Sequence, residues 1–296
     1  MIAKPLPADF VLPVDKPEGP TSHDIVGSAR RALGVKRVGH TGTLDPFASG
    51  LLLLCVGRAT RLAEYFSGMD KTYEAVARLG LRTDTLDREG KVVEESKDLG
   101  GVTADRIGQV LADFRGVIEQ VPPAFSAKKI DGERAYLRAR RGGGVELEPC
   151  RVSISVLELT TFDLPLMGFR VTCSSGTYVR ALARDIGDAL GVGAHLTVLR
   201  RTAIGEWQVG DALPAGALQD AEAIARRAVE PLAAISHLPT VEVDQETAGR
   251  LSLGQAVRLR QELAAKSPLA VAHAGGLVAI GEATDGVLRP RKVFSS

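Results

Sequence analysis

The sequence predicts an α+β fold: a mixed, mainly antiparallel sheet flanked by helices, with a small β-barrel at the C-terminal end. Three observations lead there. Strand-like and helix-like segments mix without a regular βαβ repeat. Two strand candidates, "CRVSISVLELTTFD" and "GFRVTCSS", follow each other directly, as antiparallel neighbours do. Near "VEPLAAISHLP" the texture changes to short strands separated by glycine turns at almost regular intervals, preceded by one small helix. A length of 296 residues suits a large domain with a small partner. With 45% apolar and 25% charged residues the chain can bury a core and is not intrinsically disordered.

Taken in order, "FVLPVDKPEG" reads as a strand entering a Pro-Gly turn. "TSHDIVGSARRALG" predicts a helix capped by Thr21 or Ser22, with Ile25, Val26, Ala29 and Leu33 on one face and Gly34 as the stop. "LLLLCVG" is a buried strand, and "KTYEAVARLGLRT" places Tyr73, Ala75, Ala77 and Leu79 on one face of a half-buried one. "TADRIGQVLADFRG" predicts a second helix, capped by Thr103 and apolar at Ile107, Val110, Leu111 and Phe114. The Pro-Pro, triple-glycine and charge clusters of residues 121–149 predict a long connection around a short basic helix. "GTYVRALARDIGDALG" predicts a helix with Val179, Leu182, Ile186 and Leu190 on one stripe. The boundary between the two units is expected near Leu238, giving 1–237 and 238–296.

Composition excludes several classes of function. No apolar run approaches the roughly 18 to 20 residues that span a bilayer, and the N-terminal apolar stretch is too short for a secretory signal. A cytoplasmic protein is expected. Cys55, Cys150 and Cys173 lack any C-x-x-C pairing and read as reduced core thiols. His23, His40, His195, His237 and His273 show no zinc-ligand spacing, so no metal is expected. There is no phosphate-binding G-x-x-x-x-G-K-[ST] loop, and "GVGAHL" lacks the third glycine of a dinucleotide fingerprint. Net charge is +1, but basic residues cluster. "KKIDGERAYLRARR" holds six basic residues against two acidic, and "SARRALGVKR" four against none. Further basic pairs stand in "LRR" and "RPRK". Arginines around Tyr136 suit phosphate contacts with an aromatic for a base to stack on.

The stretch "GHTGTLDPFASG" gathers turn-prone residues around one histidine and one carboxylate. By residue type alone, Asp45 before Pro46 is a capped turn entering a short helix or a buried strand. By the same standard Thr177 is a helix cap, Arg180 a surface charge, Tyr73 and Leu199 core residues, and His40 a loop histidine.

Six stretches change that reading. "DKPEGPTSHDIV", "RVGHTGTLDPFASGLLLLCVGRATRL", "DKTYEAVARLGLRTDTLDREG", "QVPPAFSAKKIDGERAY", "SSGTYVRALARDIG" and "AHLTVLRRTAIGEW" resemble, in order, the motifs of the TruB family of tRNA pseudouridine synthases. The tail from about Leu238 resembles a PUA domain, a small RNA-binding barrel. The resemblance implies isomerisation of the T-loop uridine, position 55 in tRNA numbering, without a cofactor. It implies that Asp45, the aspartate of G-x-T-G-x-L-D-P, is the catalytic residue. Further roles are implied by position: His40 fills the space left by the flipped base, Tyr73 stacks on the uracil, and Tyr178 lines its pocket. Arg180 pairs with Asp45, Leu199 floors the pocket, and Lys16 and Arg61 stand near the substrate strand, Arg61 where the family carries lysine. Residues from about 126 to 148 resemble the thumb loop that closes on the T-arm. That loop disfavours the guide-RNA-dependent branch, so the expected partner is the tRNA T-arm alone, with no membrane, no obligatory protein partner and a monomeric chain. An RNA-binding or tRNA-folding protein is the rival reading.

Chemistry explains why a carboxylate would serve. Breaking a glycosidic bond leaves positive charge at C1′, which a carboxylate can stabilise, trap covalently, or relieve by taking the C2′ proton. All three roles stay open at the level of sequence.

Overall fold

The computed structural model describes residues 6–124, 129–130, 133–134, 147–259 and 268–294. The first strand, β1 (Phe10–Lys16), is buried along nearly its whole length. Helix α1 (Ser22–Leu33) follows. Its N-cap is Thr21, whose hydroxyl accepts from the Asp24 amide at 3.1 Å while the Asp24 carboxylate accepts from the Thr21 amide at 2.9 Å. This reciprocal capping box satisfies two amides that the first helical turn cannot. Gly34 ends the helix in the left-handed conformation, φ 64°.

Strand β2 (Val38–His40) leads through the Gly39–Gly50 loop into β3 (Ser49–Val56), whose Leu51–Val56 run is fully buried. A short helix α2 (Ala63–Ser67) precedes β4 (Lys71–Leu79), where Tyr73, Ala75, Ala77 and Leu79 face the core in strict alternation. Then come the hairpin β5 (Leu81–Thr83) and β6 (Val92–Glu95), helix α3 (Ala104–Asp113) capped by Thr103, and β7 (Gly116–Gln120). Within the long basic connection the described residues form two short antiparallel strands, β8 (Lys129–Ile130) and β9 (Glu133–Arg134). The basic helix expected there, and Tyr136, lie outside the described residues.

Strands β10 (Cys150–Asp163) and β11 (Leu166–Cys173) pair antiparallel. Helix α4 (Val179–Ala189) and β12 (Ala194–Ile204) follow, then the short β13 (Trp207–Gln208) and β14 (Leu213–Pro214). All these strands except β5, β6, β8 and β9 build one mixed sheet of order β14-β1-β3-β12-β4-β11-β10-β7, with β2 on β3 and β13 on β12. Among the described strands of this sheet, the β1/β14 and β3/β12 pairings are parallel and the rest antiparallel.

Helices α5 (Ala221–Arg227) and α6 (Pro231–Ala234) lead to a second, curled five-stranded sheet. Its strands are β15 (Thr240–Glu242), β16 (Val257–Arg258), β17 (Leu269–His273), β18 (Gly276–Thr284) and β19 (Val287–Val293), in the order β15-β17-β18-β19-β16. The small helix expected ahead of these strands, α7 (Gln245–Ser252), instead follows β15. Ala270, Ile280 and Phe294 of this unit share one apolar cluster with Leu51, Leu53 and Phe66 of the large sheet. Among the described residues no helix is long and apolar enough to cross a membrane.

Of the three cysteines, Cys55 and Cys173 are buried as expected, but Cys150 is half-buried at the start of β10. Burial pushes the Cys55 thiol up to about 12.

Gly50 shows how tightly the Asp45 loop is joined to the sheet. It pairs with Lys16 on one side and with Arg201 on the other, at φ 106°. A Cβ there would meet the Arg201 backbone nitrogen at 2.7 Å. Gly50→Ala is therefore expected to cost on the order of 3 kcal/mol, read as a lowered urea midpoint.

Candidate active site

Asp45 does not cap a helix. Its carbonyl accepts from the Ala48 amide at 3.1 Å, closing a turn whose next element is strand β3. The loop is clasped from below by the residues after β1. The Ser22 hydroxyl donates to the Leu44 carbonyl at 3.2 Å and accepts from the Leu44 amide at 2.9 Å. The Gly19 amide donates to the Pro46 carbonyl at 2.8 Å. With its backbone bonded on both sides of Asp45, the loop can hold a carboxylate at a fixed place.

Arg180 meets that carboxylate from α4. Its Nε lies 3.0 Å from one Asp45 oxygen and its Nη2 3.3 Å from the other, a bidentate fork. The guanidinium is itself braced: Nη1 donates to the Thr85 carbonyl at 2.8 Å and lies 3.4 Å from the buried Asp87 carboxylate. Asp87 is held in turn by the Thr85 hydroxyl at 2.6 Å and the Glu89 amide at 3.0 Å. A chain Asp45–Arg180–Asp87 results, with both outer charges supplied by loops and the inner one by a helix.

Burial pushes the Asp45 carboxyl above the usual carboxylate range, and the like charge of Asp87 adds to this; Arg180 and Lys16 oppose it. Asp45 opens onto a cavity of about 430 Å³ that Tyr73, Tyr178, Arg180 and Leu199 also line. Burial raises the Tyr73 phenol, which stays protonated at neutral pH. A carboxylate paired with an arginine beside two tyrosines can attend to a ribose while a flat base is stacked.

Five of the eight residues singled out in the sequence thus meet in one cavity: Asp45, Tyr73, Tyr178, Arg180 and Leu199. His40 stands at the end of β2, outside the cavity lining. Its Nδ1 accepts from the Gly42 amide at 3.3 Å, and its ring meets His23 edge-on at 5.4 Å between centroids. Burial lowers its pKa, with His23 and Arg201 adding to the effect, so the ring is neutral near pH 7.

Lys16 and Arg61 are placed differently from expectation. Lys16 is fully buried, its Nζ donating to the carbonyls of Pro17 and Pro20 at 2.9 and 2.8 Å and reaching Pro46 at 3.4 Å. It braces the loop beneath Asp45, because an ammonium with three donors can gather three carbonyls. Arg61 faces the second sheet. Its Nη1 donates to the Val293 carbonyl at 2.5 Å, while Lys292 Nζ returns a bond to the Arg61 carbonyl at 2.6 Å and pairs with Glu64. Arg61→Ala is expected to leave the turnover rate unchanged and to cost at most about 1 kcal/mol, measured by single-turnover assay and urea unfolding.

The sequence reading missed four cavity or bracing residues. Asp87 is one. Lys71 lines the cavity with its Nζ on the Ser67 and Met69 carbonyls, and burial, with Arg201 nearby, pushes it down to about 8. Arg201, which the sequence offered only as half of the basic pair in "LRR", is 2% exposed; its Nε donates to the Leu51 carbonyl at 2.7 Å and its Nη2 to Gly42 at 3.1 Å. Gln120 bonds the backbone of Tyr178. Thr177 does not cap α4: the N-cap is Tyr178, and the Thr177 hydroxyl donates back to the Ser174 carbonyl at 2.9 Å. Among the described residues no cluster of His, Cys, Asp or Glu could hold a metal ion.

Comparison with known proteins gives this architecture a class. Residues 30–179 match the N-terminal domain of the TruB family pseudouridylate synthases. Residues 180–237 match the tRNA pseudouridylate synthase B C-terminal domain, and 239–294 the C-terminal part of pseudouridine synthase II TruB. The fold is that of a pseudouridine synthase. The chain belongs to the TruB family. It is 46% identical over 297 residues to tRNA pseudouridine synthase B of Burkholderia lata, covering 96% of this chain and 90% of that one. It is 48% identical over 255 residues to the protein of the same name from Symbiobacterium thermophilum, covering 85% and 84%. Among solved structures it resembles a chain of a Cbf5-Nop10-Gar1 complex, at a TM-score of 0.74 and 27% identity, over 97% of this chain and 85% of that one. A chain of an H/ACA RNP bound to a substrate RNA shares the fold at a TM-score of 0.75 and 24% identity, over 100% and 92%.

Proposed function

We propose that this chain isomerises the T-loop uridine of tRNA, position 55, to pseudouridine, with Asp45 as the catalytic residue and no cofactor. The observation that carries the reading is the bidentate Asp45–Arg180 pair at the mouth of a cavity lined by Tyr73, Tyr178 and Leu199. The relatives named as tRNA pseudouridine synthases support tRNA as the substrate class.

The reaction breaks the bond between C1′ and N1, the electron pair leaving with the uracil. The base turns within the cavity, C5 bonds to C1′, and the ring is restored as C5 loses its proton and N1 gains one. Asp45 supplies the negative charge that the electron-poor C1′ requires, acting by electrostatic stabilisation, covalent capture or removal of the C2′ proton. Unstacking the base costs on the order of a few kcal/mol. On this reading His40 fills the vacated stack, while Tyr73 and Tyr178, which line the cavity, receive the base.

The reading divides the chain into a catalytic unit, 1–237, and an RNA-binding unit, 238–296, which works as a monomer and also assists tRNA folding. The test is pseudouridine formation in an unmodified tRNA transcript, with purified protein alone in buffer containing EDTA. Product at the T-loop uridine is expected. Product only after adding another RNA or protein would favour a guided enzyme or one that works in a complex. Tight binding without product would favour the RNA-folding role.

A further inference from the structure

Tyr178 stands at an awkward place in the chain. It is the N-cap of α4, where serine, threonine, aspartate or asparagine would normally bond the first turn, and its own side chain makes no capping bond. The residue lines the cavity. Something else must fix the backbone there, and the structure shows what does.

Gln120, at the end of β7 and 1% exposed, reaches across 58 residues of sequence. Its Oε1 accepts from the Tyr178 amide at 2.9 Å and its Nε2 donates to the Tyr178 carbonyl at 3.2 Å. Tyr178 is extended, with φ −101° and ψ 106°. In that conformation a residue's N–H and C=O point the same way, as in the hydrogen-bonded pair of an antiparallel ladder. A carboxamide carries one acceptor and one donor side by side, so it makes the bond pair that a neighbouring strand would make. One level on, Arg184 Nη2 of α4 donates to the Val121 carbonyl at 2.9 Å, knitting the same strand end to the same helix.

We propose that Gln120 is a positioning residue of the reaction: its carboxamide holds the Tyr178 backbone and thereby sets the ring that lines the cavity. The proposal rests on the reading of the site given above. No isosteric residue serves equally. Glutamate keeps the bond to the amide but cannot donate to the carbonyl, and methionine of similar size makes neither.

A double-mutant cycle tests it. Gln120→Met is expected to slow single-turnover isomerisation about thirtyfold, the order of effect that a misplaced contact group produces. In a Tyr178→Ala background the same change is expected to cost less than about threefold, because the group it acts through is gone. Gln120→Glu should fall between Gln120→Met and wild type, with RNA affinity kept in all. Equal losses in both backgrounds, or a Gln120→Glu rate equal to wild type, would overturn the proposal. Amide hydrogen exchange at Tyr178 gives a readout that needs no activity. Faster exchange in Gln120→Met, with Gln120→Glu nearer wild type because it keeps the bond to the amide, supports the clamp, and unchanged exchange in Gln120→Met overturns it. An inactive wild-type protein would sink the proposed function, while the exchange measurement would still decide the clamp.

Discussion

Asp45→Asn is expected to lower single-turnover pseudouridine formation by at least about 10⁴-fold, the upper end of what one acid–base group supplies. The substitution keeps the size of the side chain and the turn, since the turn bond comes from the Asp45 carbonyl and not its side chain. It removes the charge proposed to act at C1′ and weakens the fork on Arg180. RNA affinity should change by no more than about threefold, under 1 kcal/mol, because the contact surface of a folded RNA lies mostly elsewhere. The measurement is product formation at saturating enzyme beside a filter-binding titration at fixed salt. A rate within tenfold of wild type would remove Asp45 from the reaction; a large loss of binding would make it a recognition residue.

How far the site was legible in the sequence differs from residue to residue. The alternation of Tyr73, Ala75, Ala77 and Leu79 is a local signal, and β4 follows it to the residue. The capping box of α1 is equally local, three residues wide. Asp45 and Arg180 are 135 residues apart, and no periodicity connects them; only the resemblance to a family placed them together. Arg201 and Gln120 were missed because their partners are distant backbone groups, and Asp87 because the arginine it pairs with is remote in the chain. An arginine in a strand reads as exposed, yet Arg201 is buried because carbonyls of Leu51 and Gly42 come within reach of its guanidinium. Composition cannot show which loops will offer them.

The two-unit reading meets a similar limit. A glycine-rich change of texture marks where the second sheet starts, but texture says nothing about what the unit packs on. Ala270, Ile280 and Phe294 close the apolar cluster of Leu51, Leu53 and Phe66, and β3 carries two of those leucines directly behind the Asp45 loop. Cutting the chain near Leu238 would therefore uncover core surface, so a shortened protein would report on stability as much as on RNA binding. Substitutions on the exposed face of the second sheet are the cleaner way to test its part in binding.

The second large effect is expected at Arg180. Arg180→Met should slow isomerisation about 10²- to 10³-fold, the cost of removing one preorganised electrostatic partner. Leaving the buried Asp87 without its cation should also cost about 3–5 kcal/mol of stability. Rate and folding are separated by the pH profile. On the proposed function activity requires ionised Asp45, so it is expected above the pKa of that group and lost as pH falls through it. In the wild-type protein that pKa stands above the ordinary carboxylate value because of burial and Asp87, with Arg180 holding it down. Removing Arg180 lets it rise, and the acidic limb of the rate profile moves to higher pH. Asp87→Asn removes a like charge from the same chain of groups, and the limb moves to lower pH. Misfolding would not move the two limbs in opposite directions. Shifts of one sign in both variants would mean that Arg180 and Asp87 support the loop without tuning Asp45.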